Sequence, residues 1–273
     1  MKKHALIVAN LFGFGGFLLH DMELLIQLGY DVTFAAHMNV PGRTETRDKL
    51  EQMGVTIVQI DFDSKNPFSK ANRTAYHQLK TLLKNRHYDF IHCHTPIAGL
   101  LTRLAARRQR KKGTPVIYTT HGFAFTSRSS RKEKLVYGAI ERFGSRFCDA
   151  IITINREDYA AAQKMHCKKV YYIHGVGVDT QKFREMQVDR SLYREKIGIP
   201  SDRIMILSVG ELSVRKNHRI IIDAIALLPD KEKYIYVICG NGVDGGTGNE
   251  LRSLATEKNV DLRLLGFRRD IPA

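Results

Sequence analysis

Apolar positions along the chain fall into two alternating kinds of run. Short continuous runs recur at Ala5–Ala9, Val32–Ala36, Val55–Ile60, Phe90–Cys93, Val116–Thr120, Ala150–Ile154 and Val170–Ile173. Between them lie stretches with apolar residues three or four apart, such as Leu18, Met22, Leu25 and Leu28. The spaced stretches predict amphipathic helices, and runs such as Ala5-Leu6-Ile7-Val8 predict strands buried on both faces, as in a parallel sheet. Strands alternating with helices predict βαβ units. A second series follows Pro200, Ser201 and Asp202: strand Ile204–Val209, helix Asn217–Leu228, strand Tyr234–Cys239, helix Leu251–Glu257 and strand Leu262–Leu265. The fold class expected is α/β, doubly wound, with one domain over residues 1–185 and a partial second over residues 186–273. The second has room for three strands where an open doubly wound sheet has about five or six. Asp270-Ile271-Pro272-Ala273 stands where a new element would begin, so the sequence reads as a C-terminally truncated protein or a fragment.

The first residues need separating from a targeting signal. Lys2 and Lys3 precede an apolar stretch, Ala5 to Leu19, but Asn10 and three glycines interrupt it. No small-x-small cleavage site follows directly, and Asp21, Met22 and Glu23 carry an amphipathic pattern on to Leu28. The reading is strand, glycine turn, helix. No apolar run reaches the roughly 18 residues that a membrane span needs. Cys93, Cys148, Cys167 and Cys239 form no CxxC pair, and three sit at or near the ends of apolar runs. They read as buried free thiols in a reducing compartment rather than disulfides or a zinc site.

Composition excludes disorder, collagen and coiled coil as overall descriptions: of 273 residues, 43% are hydrophobic and 26% charged. The net charge of +15, with a pI near 9.7, points to an acidic partner such as anionic lipid, nucleic acid or a phosphate-bearing substrate. The excess is uneven. Residues 1–200 carry 32 basic and 18 acidic side chains, whereas residues 201–273 carry 11 and 10. One basic stretch holds Arg103, Arg107, Arg108, Arg110, Lys111 and Lys112 with no acid between them. A second holds Arg128, Arg131, Lys132, Lys134, Arg142 and Arg146, interleaved with Phe123, Phe125, Leu135, Tyr137 and Phe143. Each cation near an anionic membrane is worth roughly 1 kcal/mol, so six on one face would hold a protein at that surface. A solvated helix face is the alternative. No aromatic RNA-binding motif accompanies the charge, so nucleic acid is not an expected partner.

Four places could carry chemistry. Gly13-Phe14-Gly15-Gly16 lies between the first strand and its helix, where backbone N–H groups can approach an anion. The dinucleotide fingerprint fails because Leu18 stands where its third glycine belongs, which disfavours NAD. His92 and His94, on one face of a strand, have metal-ligand spacing, but no second cluster suggests further ligands, so a strand end is the better reading. Thr119-Thr120-His121-Gly122 follows the fifth strand, at the carboxyl end where α/β sheets place ligands. No G-x-S-x-G accompanies it, so no hydrolase triad is suggested. Val209-Gly210-Glu211-Leu212-Ser213-Val214-Arg215-Lys216-Asn217-His218 puts two cations at the start of a predicted helix. The macrodipole disfavours cations there, so an anion such as a diphosphate would suit the site.

The order of these motifs resembles glycosyltransferase family 4 with a GT-B fold, notably the bacterial enzymes of capsular and extracellular polysaccharide assembly. The motifs are the glycine turn, Thr-His-Gly, Thr153-Ile154-Asn155-Arg156-Glu157-Asp158-Tyr159 and Gly175-Val176-Gly177-Val178-Asp179 with Phe183. Val209-Gly210-Glu211-Leu212 with Lys216-Asn217-His218, and Leu265-Gly266-Phe267-Arg268-Arg269-Asp270-Ile271-Pro272, complete the set. The resemblance covers the whole chain. It implies two Rossmann-like domains, the first mainly for the acceptor and the second, incomplete here, for the nucleotide-sugar donor.

The activity it implies is a retaining transfer from a nucleotide-sugar, expected to be a UDP-sugar, to a lipid-linked or polysaccharide acceptor at the cytoplasmic face of the cell membrane, with no bound metal or other cofactor. By resemblance, Gly15 and Gly16 lie near donor phosphates and acceptor, and His121 contacts the transferred sugar. Gly210, Arg215 and Lys216 bind the donor diphosphate, with Lys216 stabilising the leaving group. Arg103, Arg107, Arg108, Lys111, Lys112, Arg128, Arg131 and Lys132 would form the membrane or acceptor surface. Two departures stand out: Glu211 occupies a position where the family commonly has arginine, and the family's paired-glutamate motif would lie beyond Ala273. The alternative functions are a truncated membrane-associating fragment or binding module, and a GT-B sugar-nucleotide epimerase.

Overall fold

A computed structural model describes residues 2–38, 44–64 and 66–272. Contacts divide the chain into two units, Met1–Gly177 and Val178–Ala273.

The first unit carries seven parallel strands: β1 Lys3–Leu11, β2 Tyr30–His37, β3 Thr56–Gln59, β4 Phe90–His94, β5 Val116–Thr120, β6 Ala150–Thr153 and β7 Val170–Tyr172. Their order is β3-β2-β1-β4-β5-β6-β7, so the sheet winds outward in both directions from β1 and β4. All seven predicted strands form. The connecting helices are α1 Leu19–Gln27, α2 Thr44–Gln52, α3 Lys70–Asn85, α4 Pro96–Ala105, α5 Arg107–Lys111, α6 Arg131–Gly144 and α7 Arg156–Ala162.

β1 shows why its continuous apolar run folds as a central strand. Ala5, Ile7 and Ala9 face one core layer with Val32, Phe34, Met22 and Leu50. Leu6 and Val8 face the opposite layer with Ala35, Ile60, Leu79 and Ile91. Alternate side chains of a strand point to opposite faces, so both layers need apolar residues. On α3, Ala75, Leu79 and Leu83 recur every four residues and meet the second layer. Ser69 caps α3 by accepting the Asn72 N–H, and Ser130 with Glu133 forms a reciprocal capping box on α6.

α4 corrects one reading. Arg103 is fully buried, not part of a surface. It shares the inward stripe of Ala98, Gly99, Thr102 and Ala106, four residues after Gly99, whose carbonyl accepts from its Nε at 2.9 Å. Its Nη2 donates to Glu141 of α6 at 2.9 Å, and its guanidinium lies 4.0 Å from the Tyr118 ring centroid. Tyr118 Oη donates to the other Glu141 oxygen at 3.2 Å. A buried charge needs a partner and hydrogen bonds, and Arg103 has both. Gly99 is required for this packing, because a Cβ there would lie 2.5 Å from the Tyr118 ring.

The second unit holds α8 Thr180–Arg184, α9 Arg190–Lys196, β8 Ile204–Val209, α10 Arg219–Ala226, β9 Tyr234–Cys239, α11 Gly246–Glu257 and β10 Leu262–Gly266. Its sheet is parallel, in the order β10-β9-β8. Ile222, Ile225, Tyr236, Ile238 and Leu251 form a core on one side, and Ile199, Ile235, Val237 and Cys239 on the other. Two helix starts differ from expectation. α10 begins at Arg219, because Asn217 takes the left-handed conformation at φ 52° and interrupts the backbone. α11 begins earlier, at Gly246, where glycines obscured the pattern. All four cysteines are free and buried.

Candidate active site

In the first unit, the carboxyl ends of the central strands converge. β4 ends in His94 and β5 leads into His121. His94 Nδ1 lies 3.2 Å from His121 Nε2, and His92 Nε2 lies 2.7 Å from Thr119 Oγ1. The His92 and His94 rings are 4.1 Å apart, as expected for alternate positions on one strand. Phe14, from the glycine turn, meets His121 edge-on at 4.6 Å between centroids. So residues far apart in sequence assemble around His121. A cavity of about 290 Å³ opens here, lined by Phe17, Asp21, Leu24, His92, His94 and His121 among others.

The histidines are held neutral. Burial drives His92 down to about 4, with His121 adding repulsion. Burial lowers His121 to about 4 as well, and takes His94 well below its usual range. Of two neutral imidazoles in contact, one donates and the other accepts, so His121 is oriented by His94 without either carrying charge. Burial raises the Asp21 carboxyl on the cavity wall.

The backbone around this cluster is fixed from three sides. Asn10, at the end of β1, accepts the Ala98 N–H with Oδ1 at 2.7 Å and so anchors the first turn of α4. Thr95 sits at φ 66°, a strained value for a β-branched residue, and its Oγ1 accepts the Asn10 N–H at 3.3 Å. Asp158 is buried and accepts the Phe123 N–H at 3.1 Å and an Asn155 side-chain N–H at 2.9 Å, tying the loop after His121 to α7. Gly122 at φ 126° supplies the turn. The sequence singled out His121, read His92 and His94 as a strand end rather than metal ligands, and gave no role to Phe14. The period-two spacing of His92 and His94 was the available signal.

The glycine turn is a 3₁₀ segment, Phe12–Phe17. Gly15 is buried, and a Cβ there would lie 2.9 Å from the Phe34 ring. Its glycine therefore serves packing. Gly16 is exposed, and a Cβ there would make only ordinary contact with Thr46 Oγ1 at 3.6 Å.

In the second unit, the loop after β8 is built on close backbone approach. A Cβ on Gly240 would lie 1.7 Å from the Gly210 carbonyl oxygen, so the ends of β8 and β9 meet only because Gly240 lacks one. Leu212 N–H donates to Asn241 O at 2.8 Å. His218 supports the loop from below: it is buried, with Nε2 3.1 Å from Glu211 O and Nδ1 3.1 Å from Tyr236 Oη. A carbonyl only accepts, so Nε2 carries the proton. Val214–Lys216 forms a 3₁₀ turn before the left-handed Asn217. The two cations thus precede the helix on a separate turn, which corrects the expected helix start.

Those cations differ. Arg215 Nη2 donates to Glu211 at 2.9 Å, both groups being largely exposed, and this bond holds the Glu211 carboxyl below its usual range. Glu211 is thereby turned onto Arg215. The Lys216 stem lies over Gly210, its Cε and Cδ 3.5 and 3.6 Å from where a Cβ would stand. Among the described residues the Lys216 ammonium has no hydrogen bond or ion pair.

The remaining basic residues do not form one surface. Arg107, Arg108, Lys111 and Lys112 are exposed at the amino end of β5, whereas Arg128, Arg131 and Lys132 are exposed beyond its carboxyl end. Arg110 is occupied by Asp149 at 2.8 Å. On α6 the cations flank Leu135, 75% exposed, and Phe143, 47% exposed. Among the described residues no helix is long and apolar enough to cross a membrane.

Residues 20–185 match Glycosyltransferase Family 4, and residues 189–273 match Glycosyl transferases group 1. The chain is 36% identical over 277 residues to a Bacillus subtilis (strain 168) protein described as "Putative glycosyltransferase EpsD", spanning 99% of this chain and 70% of that one. It is 34% identical over 212 residues to the UDP-Gal:alpha-D-GlcNAc-diphosphoundecaprenol alpha-1,3-galactosyltransferase of Escherichia coli, covering 71% of this chain and about half (51%) of that protein. Among solved structures, Anabaena Alr3699/HepE in complex with UDP and glucose superposes with a TM-score of 0.69 at 18% identity, over 98% of this chain and 70% of that one. The fold is therefore of the GT-B type.

Proposed function

We propose that this chain, which belongs to glycosyltransferase family 4, moves a sugar from a UDP-sugar to a lipid-linked or polysaccharide acceptor with retention of anomeric configuration. The observation that carries the reading is Lys216. Its stem lies across Gly210 at the end of β8, and among the described residues its ammonium has no hydrogen bond or ion pair, while the neighbouring arginine is paired with Glu211. Transfer breaks the bond between the sugar and the diphosphate, and negative charge grows on the departing phosphate oxygen. A cation beside that oxygen stabilises the growing charge more than the ground state, which is electrostatic catalysis. No metal is required in this reading. His121, neutral and oriented by His94 and Phe14, offers a hydrogen bond to the sugar rather than a charge.

The UDP-bound fold neighbour and the E. coli relative, named for transfer from UDP-Gal to a diphosphoundecaprenol-linked sugar, support a UDP-sugar donor and a lipid-linked acceptor. The exposed Leu135, near Arg131 and Lys132 on α6, and the exposed Phe143, under Arg146, support docking at the cytoplasmic face of an anionic membrane. The test is transfer of labelled sugar from UDP-sugars to polyprenyl-diphosphate-linked acceptors. Lys216→Ala should lower kcat/KM by about 10²–10³ with unchanged circular dichroism, as for loss of one preorganised donor. Undiminished turnover overturns the assignment.

A further inference from the structure

The cations of α5 are left over by the proposed function, and they are not alone. The C-terminal end of α3 and the short α5 are tied by Gln109 before β4 and β5, and a cleft of about 570 Å³ opens beside them. Its lining includes Lys80, Lys84, Arg86, Arg108 and Lys112 together with two histidines, and no carboxylate. His94 and His121 lie at the other ends of the same two strands, so the cleft is separate from the candidate active site.

Helix C-termini attract cations, but that does not account for these. Four carbonyls at these helix ends, those of Leu82, Leu83, Gln109 and Arg110, already have donors. Gln109, buried at the floor, donates from Nε2 to Leu83 O and to Arg86 O, each at 2.7 Å, and accepts the Tyr88 N–H at 2.9 Å. Leu82 O accepts the Arg86 N–H, and Gln109 O and Arg110 O accept the Lys112 and Gly113 N–H groups. Among the described residues, the side chains of Lys84, Arg86, Arg108 and Lys112 make no hydrogen bond or ion pair, and Lys80 only lies over the Tyr76 ring. Gln109 thus ties two helix ends so that five cations line one space with no carboxylate in its lining; Arg86 also feels the Asp31 carboxylate, and His87 meets Asp89 at 3.8 Å. Converging like charges repel unless an anion lies between them, and charge-assisted bonds to phosphate oxygens are the strong way to satisfy them.

We propose that this α3–α5 cleft is a binding site for a ligand bearing several phosphate groups, either a free polyphosphorylated compound or clustered phospholipid headgroups. The site is independent of the transferase reading.

The test uses the 273-residue chain with two probes, inorganic tripolyphosphate by calorimetry and phosphatidylglycerol vesicles by co-sedimentation, both at about 0.1 M salt. The cleft variant is Lys80→Gln/Lys84→Gln/Arg108→Gln. The control, Lys164→Gln/Lys168→Gln/Lys169→Gln, removes equal charge from exposed positions elsewhere in the same unit. Binding of at least one probe should weaken about tenfold or more in the cleft variant and stay within about twofold in the control. One-to-one tripolyphosphate binding assigns a free ligand, and vesicle binding alone assigns headgroups. Absence of binding to both probes, or equal weakening in the two variants, overturns the proposal.

Discussion

The histidine cluster makes a quantitative prediction about acid. His92 is driven to about 4 by burial, against about 6.5 in an unfolded chain. Between those values the unfolded state binds the proton and the folded state does not, so stability falls as pH drops below about 6.5 and levels off near 4. By linkage, His92 alone should remove about 2 kcal/mol of stability between pH 7.5 and pH 5. Urea unfolding followed by circular dichroism at those two pH values reads the loss directly. His92→Gln keeps a polar group opposite Thr119 Oγ1 but cannot titrate, so it should shrink the loss by about that amount. His121, also lowered to about 4, should stay neutral in an NMR titration down to near pH 4. An unchanged acid loss in His92→Gln, or imidazole titration near 6.5 at either residue, would refute the buried, neutral cluster.

Three further outcomes follow from particular contacts. Arg103→Met should destabilise the first unit by about 3–5 kcal/mol in chemical denaturation, because Glu141 is left buried and unpaired, and Arg103→Met/Glu141→Leu should recover most of it. Gly240→Ala should cost the second unit at least about 1–3 kcal/mol and displace the Gly210 loop, since its Cβ would stand 1.7 Å from Gly210 O. Glu211→Gln should leave stability within about 1 kcal/mol, as its pair with Arg215 is exposed, while UDP binds more tightly in calorimetry because a repelling carboxylate is gone.

The sheet was legible because parallel strands are apolar on both faces. The run Ala5–Ala9 announces a central strand, and it pairs with β2 and β4 on either side. Element ends were less legible. Asn217 interrupts the backbone by its own left-handed conformation, which no hydrophobic period records. Arg103 shows the limit of reading charge along one dimension: it belongs to a basic stretch, yet its place on the Ala98–Gly99–Thr102 stripe sends it inward to Glu141, 38 residues away in sequence. His121 stood out by its place after a strand. Its partners Phe14 and His94 could be found only once β1, β4 and β5 were adjacent. Likewise, α3 and α5 each look like ordinary basic helices until the fold sets their cations around one cleft.

Calorimetric titration of the folded chain with UDP and UDP-sugars probes the donor role of the Gly210–Lys216 turn. Saturable one-to-one binding to wild type that disappears in Lys216→Ala, with unfolding unchanged, is the result predicted by a lysine whose stem lies over Gly210. Equal binding by Lys216→Ala, or none by the folded wild-type chain, would contradict it.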